Sequence, residues 1–412
     1  MDEQYEKYKA SKLLFVICWI VYLFVVISRS NYTTAIAFIV KEGVFTKSDA
    51  GIISAAFYFT YGFVQLIGGN AADRFSPYKL IIIGLAGALV TNIMLMFFNT
   101  FIWVLVLWCL NGVLQFAMWP SVTRIIAAYL LPEHSTRASV FIPLAIAMGN
   151  ILSFCIASPV LNVLGWKGTF LINSLILSIG LIMWLYVKKK SQELLMPDER
   201  IKKSKTSERK GLLPLIFSSG LIFAVFMAIA QGALDTGVKS WVPTMMMESY
   251  MFSPSFANII TAGVNLCNIM GAVLLSRTIG KIKNAVMIQT IYFAMFIPAS
   301  VFLIFVGKIP AIVVFLFLVI ATTSVYAMIN LNVRISSSFD KFGYSGAVSG
   351  IINSGQCVGI VAANGGLGIV AERFGWSSVA LVWCIVAVVA IAMGIPGFIL
   401  WKRFIKKNKV LR

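Results

Sequence analysis

Charged side chains are scarce in this chain of 412 residues. Only 12% of the residues are Asp, Glu, Lys or Arg, whereas 59% are hydrophobic. Soluble globular domains carry about 25% charged and about 45–50% apolar residues. The composition therefore excludes an ordinary water-soluble domain and favours a membrane protein. The few charges are also unbalanced, since 34 Lys and Arg residues stand against 15 Asp and Glu residues, for a net charge of +19.

Motifs for catalysis, metals and cofactors are also missing. The six cysteines lie inside apolar stretches without a CxxC spacing, which argues against a metal site or a disulfide framework. The single histidine, His134, lies in the short polar connection PEHSTR, and we predict that it is solvated. The sequence contains no nucleophile–base constellation and no GxxxxGK[ST] loop. We therefore expect neither an enzyme nor ATP-driven transport by this chain alone, and no metal or cofactor.

Long apolar runs account for most of the chain. A transmembrane helix needs about 20 predominantly apolar residues. The runs are continuous and do not alternate with polar residues, which argues against a transmembrane β-barrel. No small-residue cleavage site follows the first run, so no signal peptide is predicted. The sequence predicts an all-α membrane protein with twelve transmembrane helices. They are expected near 13–40, 50–70, 79–99, 102–130, 138–163, 168–187, 213–247, 254–275, 285–306, 310–336, 345–371 and 376–400.

The positions of the basic residues predict the orientation. With twelve spans, most Lys and Arg residues fall at the N-terminus, in the even-numbered loops and in the C-terminal tail. Cytoplasmic loops carry this excess in membrane proteins, so we expect a multi-pass protein of the cell membrane with both termini in the cytoplasm. The positive charge then indicates contact with anionic lipid and not with nucleic acid. The odd-numbered loops hold only Lys41, Lys47, Lys167, Lys308 and Arg373.

One polar, basic segment divides the chain. Residues 188–210 read KKKSQELLMPDERIKKSKTSERK. They separate residues 1–187 from residues 211–412, and each part has room for six spans. We predict two six-helix bundles joined by a basic cytoplasmic linker. A binding site for a partner protein in this linker is the alternative to a simple tether.

The two halves resemble each other in sequence. A shift of 210 residues places Gly149 on Gly359, and Gly165-Trp166 on Gly375-Trp376, while near the second span of each half the shift is 203. Parallel six-helix repeats are known in secondary transporters, where the substrate site lies near the midplane between the halves and access alternates as one half rocks against the other. The repeat therefore predicts two pseudo-symmetric bundles.

The loop after the second span carries a recognisable motif. Residues 68–80 read GGNAADRFSPYKL, and they resemble the major facilitator loop signature, in which a glycine such as Gly69 precedes Asp-Arg, here Asp73 and Arg74. The second half keeps the arginine as Arg277 but has Ser276 in place of the acid. The resemblance implies the major facilitator fold. We interpret Asp73, Arg74 and Arg277 as gating residues that hold neighbouring helix ends together.

Few charges lie within predicted spans. These are Arg29, Asp235, Lys239, and the equivalent pair Arg124 and Arg334. Ionisable groups at membrane depth are costly and usually face a cavity. Their net positive charge favours an anionic substrate, since the arginine fork matches carboxylate and phosphate. Asp235 is the candidate for a coupling proton, because burial disfavours a charged carboxylate, and Arg124 and Arg334 are gating candidates.

Polar and aromatic side chains accompany these charges. Asp235 and Lys239 share one helix face at a spacing that favours an ion pair. The alternatives are that this pair only neutralises itself, that Arg29 forms a structural salt bridge, and that the polar residues only join helices. The substrate-binding candidates are Arg29, Tyr32, Gln65, Gln115, Trp119, Lys239, Asn265, Tyr326 and Asn353.

A more specific resemblance appears in two segments. Residues 28–69, from SRSNYTT to QLIGG, and residues 114–124, LQFAMWPSVTR, resemble spans 1, 2 and 4 of the organophosphate:phosphate antiporter family, which includes glycerol-3-phosphate and hexose-phosphate carriers. The resemblance implies that Arg29 is one of two arginines that hold a phosphate group.

This sequence departs from the family pattern at three positions. Asp235 occupies the position of the second arginine, Gln65 that of a lysine, and Ile146 that of a histidine. These replacements favour a monoanionic carboxylate, a zwitterion or a phosphodiester over a dianionic phosphate.

Together these features predict a secondary active transporter of a small organic anion, either a phosphorylated or a carboxylated metabolite. Transport would occur by alternating access, with proton symport or anion exchange, in a monomer. An exporter of a lipid-like or drug-like solute is one alternative, because 31 Phe and 17 Met residues could line an apolar pathway. A transporter-like metabolite sensor is another, and it would need a partner at residues 188–210.

Overall fold

The computed structural model describes residues 2–68, 75–195, 212–282, 284–339, 342 and 344–408. All regular secondary structure within these ranges is helical. The helices are α1 (Asp2–Lys41), α2 (Lys47–Gly68), α3 (Pro77–Leu95), α4 (Phe101–Gln115), α5 (Met118–Ala128), α6 (Pro132–Leu194), α7 (Leu212–Ser219), α8 (Leu221–Tyr250), α9 (Pro254–Cys267), α10 (Ile269–Lys281), α11 (Ala285–Leu303), α12 (Ala311–Ser337), α13 (Ser345–Phe374) and α14 (Trp376–Asn408).

Ten helical stretches within the described ranges are long and apolar enough to cross a membrane. One of them, Leu144–Leu194, is 51 residues long and runs through Gly165, where the backbone leaves the helical conformation. It therefore contains two of the predicted spans. Helix α2, at 22 residues, lies at the position of another. The predicted all-α membrane architecture is confirmed.

The chain groups into two compact units. The first comprises Met1–Ile39 and Thr60–Lys205, and the second comprises Val40–Phe59 and Thr206–Arg412. Residues 40–59 thus pack with the second unit, although they precede the predicted linker by more than a hundred positions. Residues 188–194 of that linker continue α6, and its residues from 196 onward lie outside the described ranges. The boundaries at 187 and 211 stay a prediction.

The internal repeat is visible in the backbone. Gly165 has φ 65° and ψ −171°, and Gly375 has φ 76° and ψ 178°. Glycine adopts such positive φ values without the steric cost that a side chain would bring. Each glycine ends one helical segment directly before a tryptophan and allows the next to begin. The Gly-Trp pairs that matched in sequence therefore share one unusual conformation.

The second pair of matching glycines makes equivalent contacts. A Cβ atom on Gly149 would collide with Val26 and come within 3.2 Å of the Leu23 carbonyl oxygen on α1. A Cβ atom on Gly359 would collide with the backbone of Ile229 on α8. In each unit the fifth predicted span of the repeat thus approaches the first span closely, and only a glycine fits at that crossing.

The prediction that His134 is solvated is wrong. Its side chain is only 1% exposed, and its Nδ1 lies 2.9 Å from the Oγ of Ser11. The imidazole also packs 4.7 Å from the ring of Tyr8. Both partners belong to the first turns of α1, before the predicted span begins. This extension of α1 covers the start of α6 and removes His134 from water.

We expect acidification to weaken this contact. Burial lowers the pKa of His134 below its ordinary value, with a further lowering by Arg137 and Lys12 that Glu133 opposes. The unfolded chain binds the proton at about pH 6.5, so the neutral folded form is favoured above that pH and loses stability as pH falls below it. Thermal unfolding in detergent should show a midpoint that falls from pH 7 to pH 5.5 in the wild type.

The variant His134→Asn provides the control, because the chain then has no histidine. Its midpoint should change less over the same interval, in which exposed carboxylates are still ionised. An equal fall of the midpoint with pH in both proteins would contradict the assignment of this pH dependence to His134.

Candidate functional site

Arg29 lies in the candidate membrane span of α1 and is half-buried. Its Nε donates to Oε1 of Gln115 at 2.9 Å, and its Nη1 lies 3.4 Å from the hydroxyl of Tyr61. The guanidinium also lies over the ring of Tyr61, with Cζ 4.6 Å from the ring centroid. Contacts from α2 and α4 therefore fix the plane of the guanidinium. Because Gln115 and Tyr61 are neutral, these bonds orient the positive charge and do not cancel it.

The orientation of Gln115 follows from its own helix. Gln115 is the last residue of α4, and the helix breaks at Ala117, which has φ −87° and ψ −1°. One turn earlier, Oδ1 of Asn111 accepts a hydrogen bond from Nε2 of Gln115. The amide oxygen of Gln115 therefore points to Arg29. Both polar side chains are fully buried.

Two aromatic residues complete this cluster in the first unit. Tyr22 lies two turns before Arg29 on α1, and its hydroxyl is close to the guanidinium. Its ring packs against Trp119, with centroids 5.4 Å apart. Of the predicted residues, Arg29, Gln115 and Trp119 are thus brought together. We call Tyr22, Arg29, Tyr61, Gln115 and Trp119 the Arg29 cluster.

Two further predicted residues, Tyr32 and Gln65, also belong to the first unit. Tyr32 is fully buried and packs against Trp108, with ring centroids 5.4 Å apart. It belongs to a packed aromatic group that continues to Phe170. Gln65 is half-buried one turn after Tyr61 on α2, and so shares the helix face that carries a residue of the Arg29 cluster.

The second unit contains an ion pair on α8. Nζ of Lys239 lies 2.7 Å from Oδ1 and 2.8 Å from Oδ2 of Asp235. The side chains are 13% and 17% exposed, so most of the pair is removed from solvent. Nζ of Lys239 also lies 5.8 Å from the ring centroid of Tyr326 on α12. The structure thus brings together three predicted residues, which we call the Asp235 cluster.

A buried amide network supports the Asp235 cluster. Gln231, one turn before Asp235, accepts hydrogen bonds from Asn332 at 2.7 Å and from Gln356 at 3.2 Å. It also donates to the carbonyl oxygen of Val325 at 3.4 Å. These bonds tie α8 to α12 and α13 next to Tyr326. The remaining two predicted residues, Asn265 on α9 and Asn353 on α13, are buried and half-buried.

The predicted gating residues are distributed over both units. Asp73 and Arg74 lie outside the described residues. Arg124 is half-buried on α5, and Arg334 is half-buried in the last turn of α12. Arg277 is exposed near the end of α10. Their gating role stays a prediction.

Residue patterns alone missed the neighbours that orient the charges. Asn111 and Tyr22 are not among the predicted site residues. Each lies one or two helical turns from a predicted residue on the same helix face, which is the signal that could have found them. Within the described ranges, no group of three or more His, Cys, Asp or Glu residues is arranged to hold a metal ion.

Comparisons with known proteins agree with this architecture. The family model "Major Facilitator Superfamily" matches residues 18–364. The chain is 24% identical to "Glycerol-3-phosphate transporter" of Bacillus subtilis over 62% of this chain and 61% of that protein. It is 26% identical to "Membrane sensor protein UhpC" of Escherichia coli over 48% of this chain and 45% of that protein. Both matches thus cover less than two thirds of the relative's length.

A solved structure confirms the fold. The crystal structure of a D-xylose-proton symporter superposes with a TM-score of 0.76, over 96% of this chain and 98% of that chain, at 14% sequence identity. At this identity the likeness concerns the fold alone. The predicted fold class and the predicted resemblance to organophosphate carriers are both confirmed.

Proposed function

This chain belongs to the Major Facilitator Superfamily, and on that premise we propose that it is a secondary active transporter of a small organic anion. The substrate is a phosphorylated or carboxylated metabolite that crosses the membrane by alternating access. The Arg29 cluster carries this proposal. A guanidinium oriented by hydrogen bonds with Gln115 and Tyr61 in a membrane-spanning helix offers a planar site for an oxyanion.

The similarity to a glycerol-3-phosphate transporter supports an oxyanion substrate. The Asp235 cluster narrows the range of substrate charges. Asp235 and Lys239 form an ion pair, so together they add no net charge to a site. Arg29 is then the main positive group for the substrate, which favours a monoanion, such as a carboxylate, a zwitterion or a phosphodiester.

Asp235 has a separate proposed role. We assign it the coupling proton, because protonation of its carboxylate would release Lys239 from the ion pair. Proton symport and anion exchange are both compatible with this arrangement. We further propose that the protein is a monomer. The distribution of basic residues favours a location in the cytoplasmic membrane with both termini in the cytoplasm.

Uptake into proteoliposomes tests the function. The wild-type protein is reconstituted and offered labelled carboxylates, phosphomonoesters and phosphodiesters, with an inward proton gradient or with an internal counter-anion. We expect saturable uptake of at least one monoanion. Uptake driven by the proton gradient would assign symport, whereas uptake that needs the internal anion would assign exchange. A complete absence of anion uptake by protein that is folded would refute the proposal.

A metabolite sensor is the second candidate function, because one relative is a membrane sensor protein. A sensor would bind an anion without moving it. Binding measured by ligand-induced thermal stabilisation, together with no uptake in the same preparation, would favour this function over transport.

A further inference from the structure

Three asparagines meet in the interior of the first unit. Asn92, on α3, donates from its Nδ2 to the carbonyl oxygen of Ala88 at 2.7 Å. Its Oδ1 accepts from Nδ2 of Asn31 at 3.5 Å and from Nδ2 of Asn173 at 3.4 Å. All three side chains are at most 5% exposed. The group therefore joins α1, α3 and the part of α6 that follows Gly165.

The carbonyl oxygen of Ala88 determines how these amides are turned. A carbonyl oxygen can only accept, so Asn92 must direct its Nδ2 to Ala88 and its Oδ1 to the other two asparagines. Those two must in turn direct their Nδ2 atoms to Asn92. Oδ1 of Asn173 is thereby turned away from the group, and it is buried without a hydrogen-bond partner among the described residues. A buried acceptor without a donor is costly.

A small cavity lies beside Asn173. Side chains of α1 and of both parts of α6 line it. Four of them are polar, namely Asn31, Ser153, Thr169 and Asn173, and the others are aliphatic. The cavity offers about 10 Å³ to the centre of a water molecule, which is roughly the room that one bound water needs. An organic ligand would not fit in this space.

The chemistry of the lining also matches a water. None of the described lining residues is ionisable, and an ion without a compensating charge is very unfavourable in an apolar interior. The hydroxyl of Thr169 already donates to the carbonyl oxygen of Trp166 at 2.7 Å, so its oxygen is left as an acceptor. Asn173 lies one turn later on the same helix face. The two oxygens are therefore acceptors for the two hydrogens of a water.

We propose that this cavity binds one ordered water molecule, which donates to Oδ1 of Asn173 and to Oγ1 of Thr169. The water gives the buried amide oxygen the donor that the protein does not supply. It also strengthens the contact of α1 with α3 and α6 at Asn31, which lies two residues after Arg29. The water site thus supports the helix that carries the Arg29 cluster, and it does not depend on which substrate is transported.

Two replacements of similar shape at Ala157 test the water site. Ala157 lines the cavity and is 3% exposed, so a larger side chain there displaces the water. Valine leaves the oxygen of Asn173 without a donor, whereas threonine brings a hydroxyl that can replace the water as donor. In thermal unfolding in detergent, Ala157→Val should lower the midpoint by about 2–4 °C. Ala157→Thr should remain close to the wild type.

The same two replacements at Ala145 provide the control. Ala145 lies earlier on α6, is fully buried and does not line the cavity. Threonine should there be no more stable than valine, because burial of its hydroxyl brings no gain. An unfolding midpoint of Ala157→Val at or above the wild type, or of Ala157→Thr above it, would show that the cavity is dry. Equal midpoints of the two Ala157 variants, or an equal advantage of threonine at Ala145, would also refute the water site.

Discussion

The variant Arg29→Ala should reduce anion uptake about 100-fold, because hydrogen bonds to charged groups contribute about 1.5–3 kcal/mol each and a factor of ten requires about 1.4 kcal/mol. The loss should appear mainly as weaker substrate binding. Initial rates of uptake into proteoliposomes, measured over a range of substrate concentrations, report this change.

Arg29→Lys separates charge from geometry. Lysine keeps the positive charge but lacks the planar fork, and it cannot reproduce the two bonds that Gln115 and Tyr61 make with the guanidinium. We therefore expect this variant to retain more uptake than Arg29→Ala and clearly less than the wild type. Arg403→Ala, on the exposed side of α14, is the matched control and should transport normally. Unchanged uptake in Arg29→Ala would exclude Arg29 from substrate binding.

Spacing along single helices was the most informative part of the sequence. The separation of four residues between Asp235 and Lys239 predicted their ion pair, and the structure contains it. The matching Gly-Trp pairs predicted a repeat, and Gly165 and Gly375 share one backbone conformation. These predictions succeed because helix geometry alone determines which residues share a face.

Contacts between helices could not be predicted in the same way. Tyr32 is three residues after Arg29, yet it packs into an aromatic group around Trp108, which lies two turns before Gln115 on α4. His134 is buried since the start of α1 covers a connection that reads as polar. Residues 40–59 join the second unit through contacts with α8 and α13. Each of these results depends on neighbours that are distant in sequence.

The ion pair of the Asp235 cluster should show the largest effect on stability. Removing one partner of a mostly buried pair leaves the other charge uncompensated, which costs about 3–5 kcal/mol. Asp235→Asn and Lys239→Gln should therefore each lower the midpoint of thermal unfolding in detergent. The double variant lacks both charges and should recover part of this loss. A double-mutant cycle gives the coupling energy between the two residues. Additive losses of stability in the double variant would show that Asp235 and Lys239 do not stabilise each other.

Transport assays on the same variants test whether Asp235 carries the coupling proton or only stabilises the fold. If Asp235 carries the proton, Asp235→Asn should still exchange labelled anion for internal anion but should no longer accumulate it in response to a proton gradient. Glu193→Gln removes an exposed carboxylate on α6 and should retain both activities. Proton-driven accumulation that survives in Asp235→Asn would show that the pair only stabilises the bundle. A fall of both activities in parallel with the unfolding midpoint would also show that the pair only stabilises the bundle. A loss of folded protein reduces exchange and symport equally, whereas the loss of a coupling site reduces only symport.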